Sequence, residues 1–190
     1  MGLAGILLAA GRGRRFDPEG VRNKLLQRLP GGELVVAASA RRLLACTGRV
    51  VAVVPPDDGG VADILRALGC EVTMCMAADT GMGASLVHAV RHALPADGWL
   101  VALGDMPFVR DATLAALRDA VLGGAGIAVP LHGGQRGNPV AFGSRHLDGL
   151  LALGGDQGAR RLLREHPVTE VLVDDPGILR DIDLASDLPA

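Results

Sequence analysis

Short apolar, β-branched stretches alternate along this chain with segments of helical periodicity, a pattern that restricts it to an α/β fold with a parallel sheet covered on both faces. Strands are expected at Leu3 to Leu8, Arg49 to Val54, Glu71 to Met74, Trp99 to Leu103, Gly126 to Val129 and Glu170 to Val173. Between them, Val61, Ile64, Leu65 and Leu68 recur at helical spacing, as do Leu114, Leu117 and Val121, and these mark faces turned toward a core. Pro55-Pro56, Gly123-Gly124, Gly133-Gly134 and Pro176-Gly177 read as turns, and none is long enough to be a flexible linker. With 190 residues the expectation is one domain, 1–190, built as three α/β/α layers around a mostly parallel, Rossmann-like sheet.

Several function classes are disfavoured at once. No run approaches the roughly 18 uninterrupted apolar residues of a membrane helix, so no membrane partner is expected. Gly2 to Ala10 is apolar, but it lacks a preceding basic region and Gly-Arg-Gly-Arg-Arg follows it directly, so it reads as a buried strand rather than a signal peptide. The net charge of −2, the lack of a long basic run and the absence of Tyr argue against a nucleic-acid surface. Cys46, Cys70 and Cys75 are odd in number and lack metal-ligand spacing, which indicates neither a disulfide framework nor a zinc site and fits a cytoplasmic protein.

The chemistry-bearing segments sit where strands end. The first strand runs into Leu8-Ala9-Ala10-Gly11-Arg12-Gly13-Arg14-Arg15-Phe16. Glycines there let the backbone approach a ligand and aim N–H groups at a phosphate, and the arginines add charge-assisted bonds. A dinucleotide fingerprint would need a third glycine where Phe16 stands, and a Walker loop would need Gly-Lys-Ser/Thr. Lys24, in Arg22-Asn23-Lys24-Leu25-Leu26, offers a compact mobile charge suited to an α-phosphate, although any single lysine can also be a surface residue. A buried strand pattern runs straight into Gly104-Asp105-Met106-Pro107, which points a hard oxygen ligand at the sheet edge where ligands collect; a turn aspartate before proline is the plainer alternative. Near the end, alternation places Asp181 and Asp183 on one face of an extended segment, with Asp183 or Ser186 as a competing helix cap. His88 and His92 have the i, i+4 spacing of a metal pair but lack a partner carboxylate, so an exposed helix face is expected. Asp156 is a candidate cap for a helix that brings Gln157 and Arg160 to an acceptor phosphate, with capping alone as the alternative.

Taken in order, Leu-Ala-Ala-Gly-x-Gly-x-Arg-Phe, Asn-Lys-Leu-Leu, Gly-Asp-Met-Pro and Asp-Ile-Asp resemble the nucleotidyltransferases of molybdenum cofactor maturation, and the molybdenum cofactor cytidylyltransferases above all. Gly81-Met82-Gly83-Ala84-Ser85-Leu86, Arg136-Gly137-Asn138-Pro139-Val140-Ala141-Phe142 and Gly155-Asp156-Gln157-Gly158-Ala159-Arg160 extend the resemblance over nearly the whole chain. It implies a sheet of the GT-A-like nucleotidyltransferase type. It further implies that Gly11, Arg12, Gly13, Arg14 and Arg15 hold a triphosphate, that Ala9 and Ala10 belong to the same nucleotide site, and that Lys24 meets the α-phosphate. By the same resemblance Asp105 and Asp183 hold Mg2+, while Gly81, Met82 and Ser85 flank the nucleoside at the start of a helix running to about Leu94. Gly137, Asn138, Pro139, Asp156, Gly158 and Arg160 would face the acceptor. The chain departs from the family at Asp17, where a glycine usually stands, at Asn138, which replaces a frequent histidine, and at Gly32-Glu33-Leu34-Val35, where members often carry Lys-Pro-Leu.

The expected reaction is transfer of CMP from CTP to a phosphorylated acceptor, molybdopterin by resemblance, with release of pyrophosphate toward Gly13 and Arg15. A molybdoenzyme or its chaperone is then the partner expected to receive the product. A phosphate nucleophile is already ionised at neutral pH, so positioning and charge stabilisation suffice without a general base. The base leans to cytosine because Ala9-Ala10-Gly11 replaces the Ala-Gly-Gly of guanine-using relatives. A guanylyl- or sugar/polyol-phosphate nucleotidyltransferase, and a nucleotide-binding oxidoreductase or accessory protein of the same fold, stand as alternatives.

Overall fold

A computed structural model, which describes residues 2–11, 13, 15–155 and 158–189, resolves the alternation into one sheet. Its strands are β1 (Leu3–Leu8), β2 (Val50–Val54), β3 (Glu71–Met74), β4 (Gly98–Leu103), β5 (Ile127–His132), β6 (Gln135–Arg136), β7 (Val140–Gly143) and β8 (Thr169–Leu172). They lie in the order β3-β2-β1-β4-β7-β5-β6, with β8 on the free side of β5. The four strands from β3 to β4 are parallel, β7 runs antiparallel to both β4 and β5, and β8 is parallel to β5.

Period-2 alternation sorts the strand residues onto two cores. Leu3 and Leu7 of β1, Val50, Ala52 and Val54 of β2, and Leu100 and Ala102 of β4 face one side. There they meet α1 (Val35–Thr47), α2 (Val61–Ala67) and α4 (Asp111–Leu122) through Leu43, Leu65 and Leu117. Ala4, Ile6, Val51, Val53, Trp99 and Val101 face the other side and pack on α3 (Met82–His92), α5 (Leu147–Leu151) and α6 (Arg160–Glu165) through Leu86, Leu150 and Leu162. The result is the expected three-layer α/β/α arrangement, and burial on both faces is why these strands read as continuous apolar runs. Among the described residues no helix is long and apolar enough to cross a membrane.

All six expected strands exist, with ends displaced by at most three residues. Helices α1 and α5 and strands β6 and β7 were not foreseen. Helix α1 starts at Leu34 without a side-chain cap and is buried almost all round over its first six residues, so it carries neither a start signal nor an amphipathic stripe. β6 and β7 form an interrupted antiparallel return from the Gly133-Gly134 turn, with the Gly137 N–H donating to the Pro130 carbonyl between them.

From β1 the chain moves outward to β2 and β3, then returns to place β4 on the other side of β1, so the strand order reverses between β1 and β4. Leu8 and Leu103 pair at the carboxyl ends of these two strands. The connections that follow them therefore flank the crevice where open α/β sheets bind ligands.

Candidate active site

The connection after β1 is anchored by the Ala9 N–H on the Val53 carbonyl and turns at Gly13, whose φ of 60° is a left-handed conformation that favours glycine. The Phe16 and Asp17 N–H groups both donate back to the Gly13 carbonyl. A Cβ on Gly13 would lie 3.4 Å from Lys24 Cγ, so the turn rests on the lysine's aliphatic stem. Phe16 is buried, with the Arg22 guanidinium 5.6 Å from its ring centroid. Asp17 does not reach the cleft: its carboxylate accepts from the Arg22 N–H (2.7 Å) and the Glu19 N–H (3.2 Å), closing its own loop. The Arg22 N–H bond leads the interactions that hold the Asp17 carboxyl below its ordinary pKa.

Lys24 opens a 3-10 turn (Lys24–Leu26) in which Asn23 Oδ1 accepts from the Leu25 N–H. Its ammonium points under the glycine turn, 2.5 Å from Asp105 Oδ2 and 3.0 Å from Asp183 Oδ1. Arg15 Nη2 closes on the other oxygen of Asp183 at 2.7 Å. Three segments far apart in sequence thus meet at one charge cluster. Asp105 follows β4 directly, and its carbonyl accepts from the N–H of buried Ile182 at 2.9 Å, a backbone bond that fixes the Asp181-Ile182-Asp183 strap beside it.

Burial acts against the charge on Lys24, yet Asp105 and Asp183 outweigh it and leave the lysine pKa above its ordinary value. For Asp183, burial pushes up, while the bond and charge of Lys24, a bond from Asp181 and the charge of Arg15 hold the carboxyl below its ordinary value. Asp181 is pushed up by burial and by sharing a hydrogen bond with Asp183. At Asp181-Ile182-Asp183, one carboxylate is engaged by cations and its neighbour takes up a proton more readily.

Two adjoining cavities open on this cluster, and Leu8, Gly11, Met82, Leu103 and Asp105 belong to both. One, of about 460 Å³, extends over Ala10, Ala78, Gly81 and Ser85 at the start of α3. The other, of about 520 Å³, extends over Gly13, Arg15, Lys24, Asn138, Gly158, Arg160, Asp181 and Asp183. Each lies within the size range of small-molecule sites.

Most sequence-expected residues are brought together here, and the exceptions are specific. Ala9 is buried beneath the cleft against Gly104, not on its wall. Gly137 is a packing position, since a Cβ there would meet the Ile178 carbonyl oxygen at 2.3 Å. Pro139 lines a separate small cavity behind Asp105, which Asn138 also borders. Arg12, Arg14, Asp156 and Gln157 lie outside the described residues. Helix α6 has Ala159 at its N-cap without a side-chain bond and spans only six residues, so it offers no extended N-terminal anion site. Leu184, rather than Asp183 or Ser186, sits at the N-cap of the last turn, and Asp187 within it reaches back to accept from the Asp183 and Leu184 N–H groups, which leaves the Asp183 carboxylate to face Lys24. His88 and His92 lie on α3, where His88 Nε2 engages Thr73 Oγ1 at 2.7 Å. Sequence reasoning did not foresee Ala78 and Asp79 on the cleft wall, and the only signal for them was proximity to Gly81.

The comparisons agree with this geometry. Residues 5–171 match the family model described as the MobA-like NTP transferase domain. The purine catabolism protein PucB of Bacillus subtilis (strain 168) is 31% identical over 194 residues, 95% of this chain and 91% of that protein. Rv0371c of Mycobacterium tuberculosis H37Rv superposes with a TM-score of 0.80 at 27% identity over 98% of this chain and 96% of its own. The same mycobacterial protein, in a complex with manganese, gives 0.80 at 26% identity, with 98% and 96% covered. A nucleotidyl transferase from Methanothermobacter thermautotroptrophicus gives 0.83 at 26% identity over 97% of this chain and 93% of that one. A glycine turn, a lysine, the strand-end Asp105 and the strap that carries Asp183 converge at the β1/β4 switch point, and the match from residue 5 to 171 makes this protein a nucleotidyltransferase of the MobA-like family.

Proposed function

We propose that the cleft transfers CMP from CTP to a phosphorylated acceptor, molybdopterin on the sequence resemblance, with Mg2+ held at Asp105 and Asp183. The observation that carries this reading is the bridge from Lys24 to both carboxylates beside the Gly11–Arg15 turn. The ammonium marks the place where the two side chains jointly accept a cation, and their hard carboxylate oxygens suit Mg2+ or Mn2+. Among the described residues no three His, Cys, Asp or Glu side chains form a ready-made metal cage. Such a donor set fits Mg2+, which is commonly held by one or two carboxylates and completed by substrate phosphates and water.

When bound, the ion would neutralise phosphate charge. The chain's own residues do the rest. The glycine turn and Arg15 receive the β- and γ-phosphates. Lys24 leaves its carboxylates to meet the α-phosphate, where charge shifts during displacement. An oxygen of the acceptor phosphate forms the new bond to the α-phosphorus as the bond to the β-phosphate bridging oxygen breaks, and pyrophosphate leaves with that electron pair. Ala10, Gly81, Met82 and Ser85 bound the nucleoside space, and Asn138, Gly158 and Arg160 bound the acceptor space. The argument for cytosine is the methyl of Ala10, which stands where guanine-using relatives carry a glycine. A molybdoenzyme or its chaperone would take up the product. Pyrophosphate release measured across CTP, GTP, ATP and UTP, each with molybdopterin or sugar and polyol phosphates, tests the reading: release specific to CTP and molybdopterin supports it, and release only with another pair replaces it.

A further inference from the structure

Asp105 owes its position to a turn, and the hydrogen bonds of that turn can be followed one carbonyl at a time. The Gly104 carbonyl accepts from Ser39 Oγ at 3.1 Å. The Asp105 carbonyl accepts from the Ile182 N–H at 2.9 Å. The carbonyls of Pro107 and Val109 both accept from Arg42 Nη1, the latter at 2.9 Å. Ser39 and Arg42 lie one helical turn apart on α1, so a single helix face holds the rear of the turn while the Asp183 strap holds its front.

Met106 and Val109 pack into the core and hold one side of the turn. A void of about 20 Å³ lies behind it, bordered by Ser39, Arg42, Met106, Asn138 and Pro139. That side therefore lacks some of the contacts a filled interior would supply, and directional bonds take their place. Arg42 is suited to the task because a single guanidinium nitrogen, Nη1, donates to both carbonyls, and the carboxylate oxygen it meets on Asp111 is 3.8 Å from Nε.

We infer that Ser39 and Arg42 are positioning residues that set the reach of Asp105 toward the bound cation. The inference rests on the metal reading of Asp105 and Asp183 above. Neither residue touches the cleft, so each acts only through the backbone of the turn.

The test is Mn2+ binding to the full chain without nucleotide, followed by electron paramagnetic resonance, for wild type, Arg42→Ala, Arg42→Lys, Ser39→Ala and Asp105→Asn. Residues that orient metal ligands from behind commonly change metal affinity by about 10- to 100-fold. Arg42→Ala is expected to weaken Mn2+ binding about tenfold, Ser39→Ala by less, and Arg42→Lys to recover part of the loss. CTP binding measured in EDTA is expected to stay within about twofold of wild type, since neither side chain faces the nucleotide. If Arg42→Ala fails to fold, Ser39→Ala and Arg42→Lys carry the measurement. Variants that lose thermal stability yet bind Mn2+ like wild type would show a purely structural role and overturn the inference alone. Wild-type protein that binds no more Mn2+ than Asp105→Asn would overturn both the inference and the metal reading beneath it.

Discussion

Replacing Lys24 by methionine removes the ammonium between Asp105 and Asp183 while keeping an unbranched apolar stem under Gly13. In the wild type this ammonium lies within 3.0 Å of both carboxylates and its side chain is only 8% exposed, so an entering cation competes with it directly. At a separation of ~4 Å a monovalent and a divalent cation repel by ~2 kcal/mol in a water-like medium and by ~8 kcal/mol at an effective dielectric constant of ~20. The cleft is open and the lysine can swing away, so the lower figure governs and part of it is recovered. About 1.4 kcal/mol remains, which is tenfold in affinity. Lys24→Met is therefore expected to bind Mn2+ about tenfold more tightly than wild type when no nucleotide is present. Its turnover should fall by about 10²–10³-fold for want of a charge at the α-phosphate. Tighter metal binding together with slower turnover is the signature, read by a Mn2+ titration and a pyrophosphate assay on the same preparation. Equal or weaker Mn2+ binding by a folded Lys24→Met protein refutes the competition.

Other perturbations test separate parts of the account. Asp105→Ala should abolish metal-dependent turnover while circular dichroism stays that of wild type; near-normal turnover would count heavily against the mechanism. Gly177→Ala places a Cβ 2.2 Å from the Phe108 carbonyl oxygen, a backbone atom that cannot step aside cheaply. A loss of about 2–3 kcal/mol in urea denaturation is expected, and a neutral substitution would show that the turn relaxes. Burial, then the neighbouring His92 and His166, then Arg91 and Arg145, hold the imidazoles of His88 and His146 below their ordinary pKa of 6.5. The unfolded chain thus takes up these protons before the folded one does, so stability is full above pH 6.5 and declines as the pH falls through that value toward the lower folded pKa. Denaturation at pH 7.5 and pH 5.5 should show this loss in wild type and a smaller one in His146→Gln, whereas a gain at pH 5.5 would contradict the sign.

β1 is buried on both faces and announces itself as an unbroken apolar run, legible to the residue, whereas β3 is a half-exposed edge strand whose β-branched centre, Val72-Thr73, gave it away. β7 was not, because Val140–Gly143 is four residues long and enters the middle of the sheet in the opposite direction, a placement set by its partners β4 and β5. Asp105 was legible because it follows an apolar run, Lys24 because it stands between the glycine loop and an apolar stretch, and Asp183 because alternation pairs it with Asp181. Their meeting within hydrogen-bonding distance is a product of topology. Arg42 left no trace in the sequence: its partners are backbone carbonyls 65 and 67 residues away, and any residue type presents a carbonyl. Asp17 shows the opposite failing, a conspicuous charge beside a phosphate loop that turned inward to satisfy backbone N–H groups.

The strap after β8 adds no strand to the sheet, yet it supplies Asp183. It is pinned by a few anchors: the Ile182 bond to Asp105, the Asn138 N–H on the Ile178 carbonyl, and buried Asp175 accepting from Thr113 Oγ1 at 2.6 Å. Releasing those anchors costs less than dismantling eight paired strands, so the scaffold and its chemistry have separate thresholds for failure. If Asp183 is half of the cation-binding pair proposed above, a molecule can lose it in a passing local opening while the sheet remains native, and turnover would then follow how often this margin of the fold comes undone.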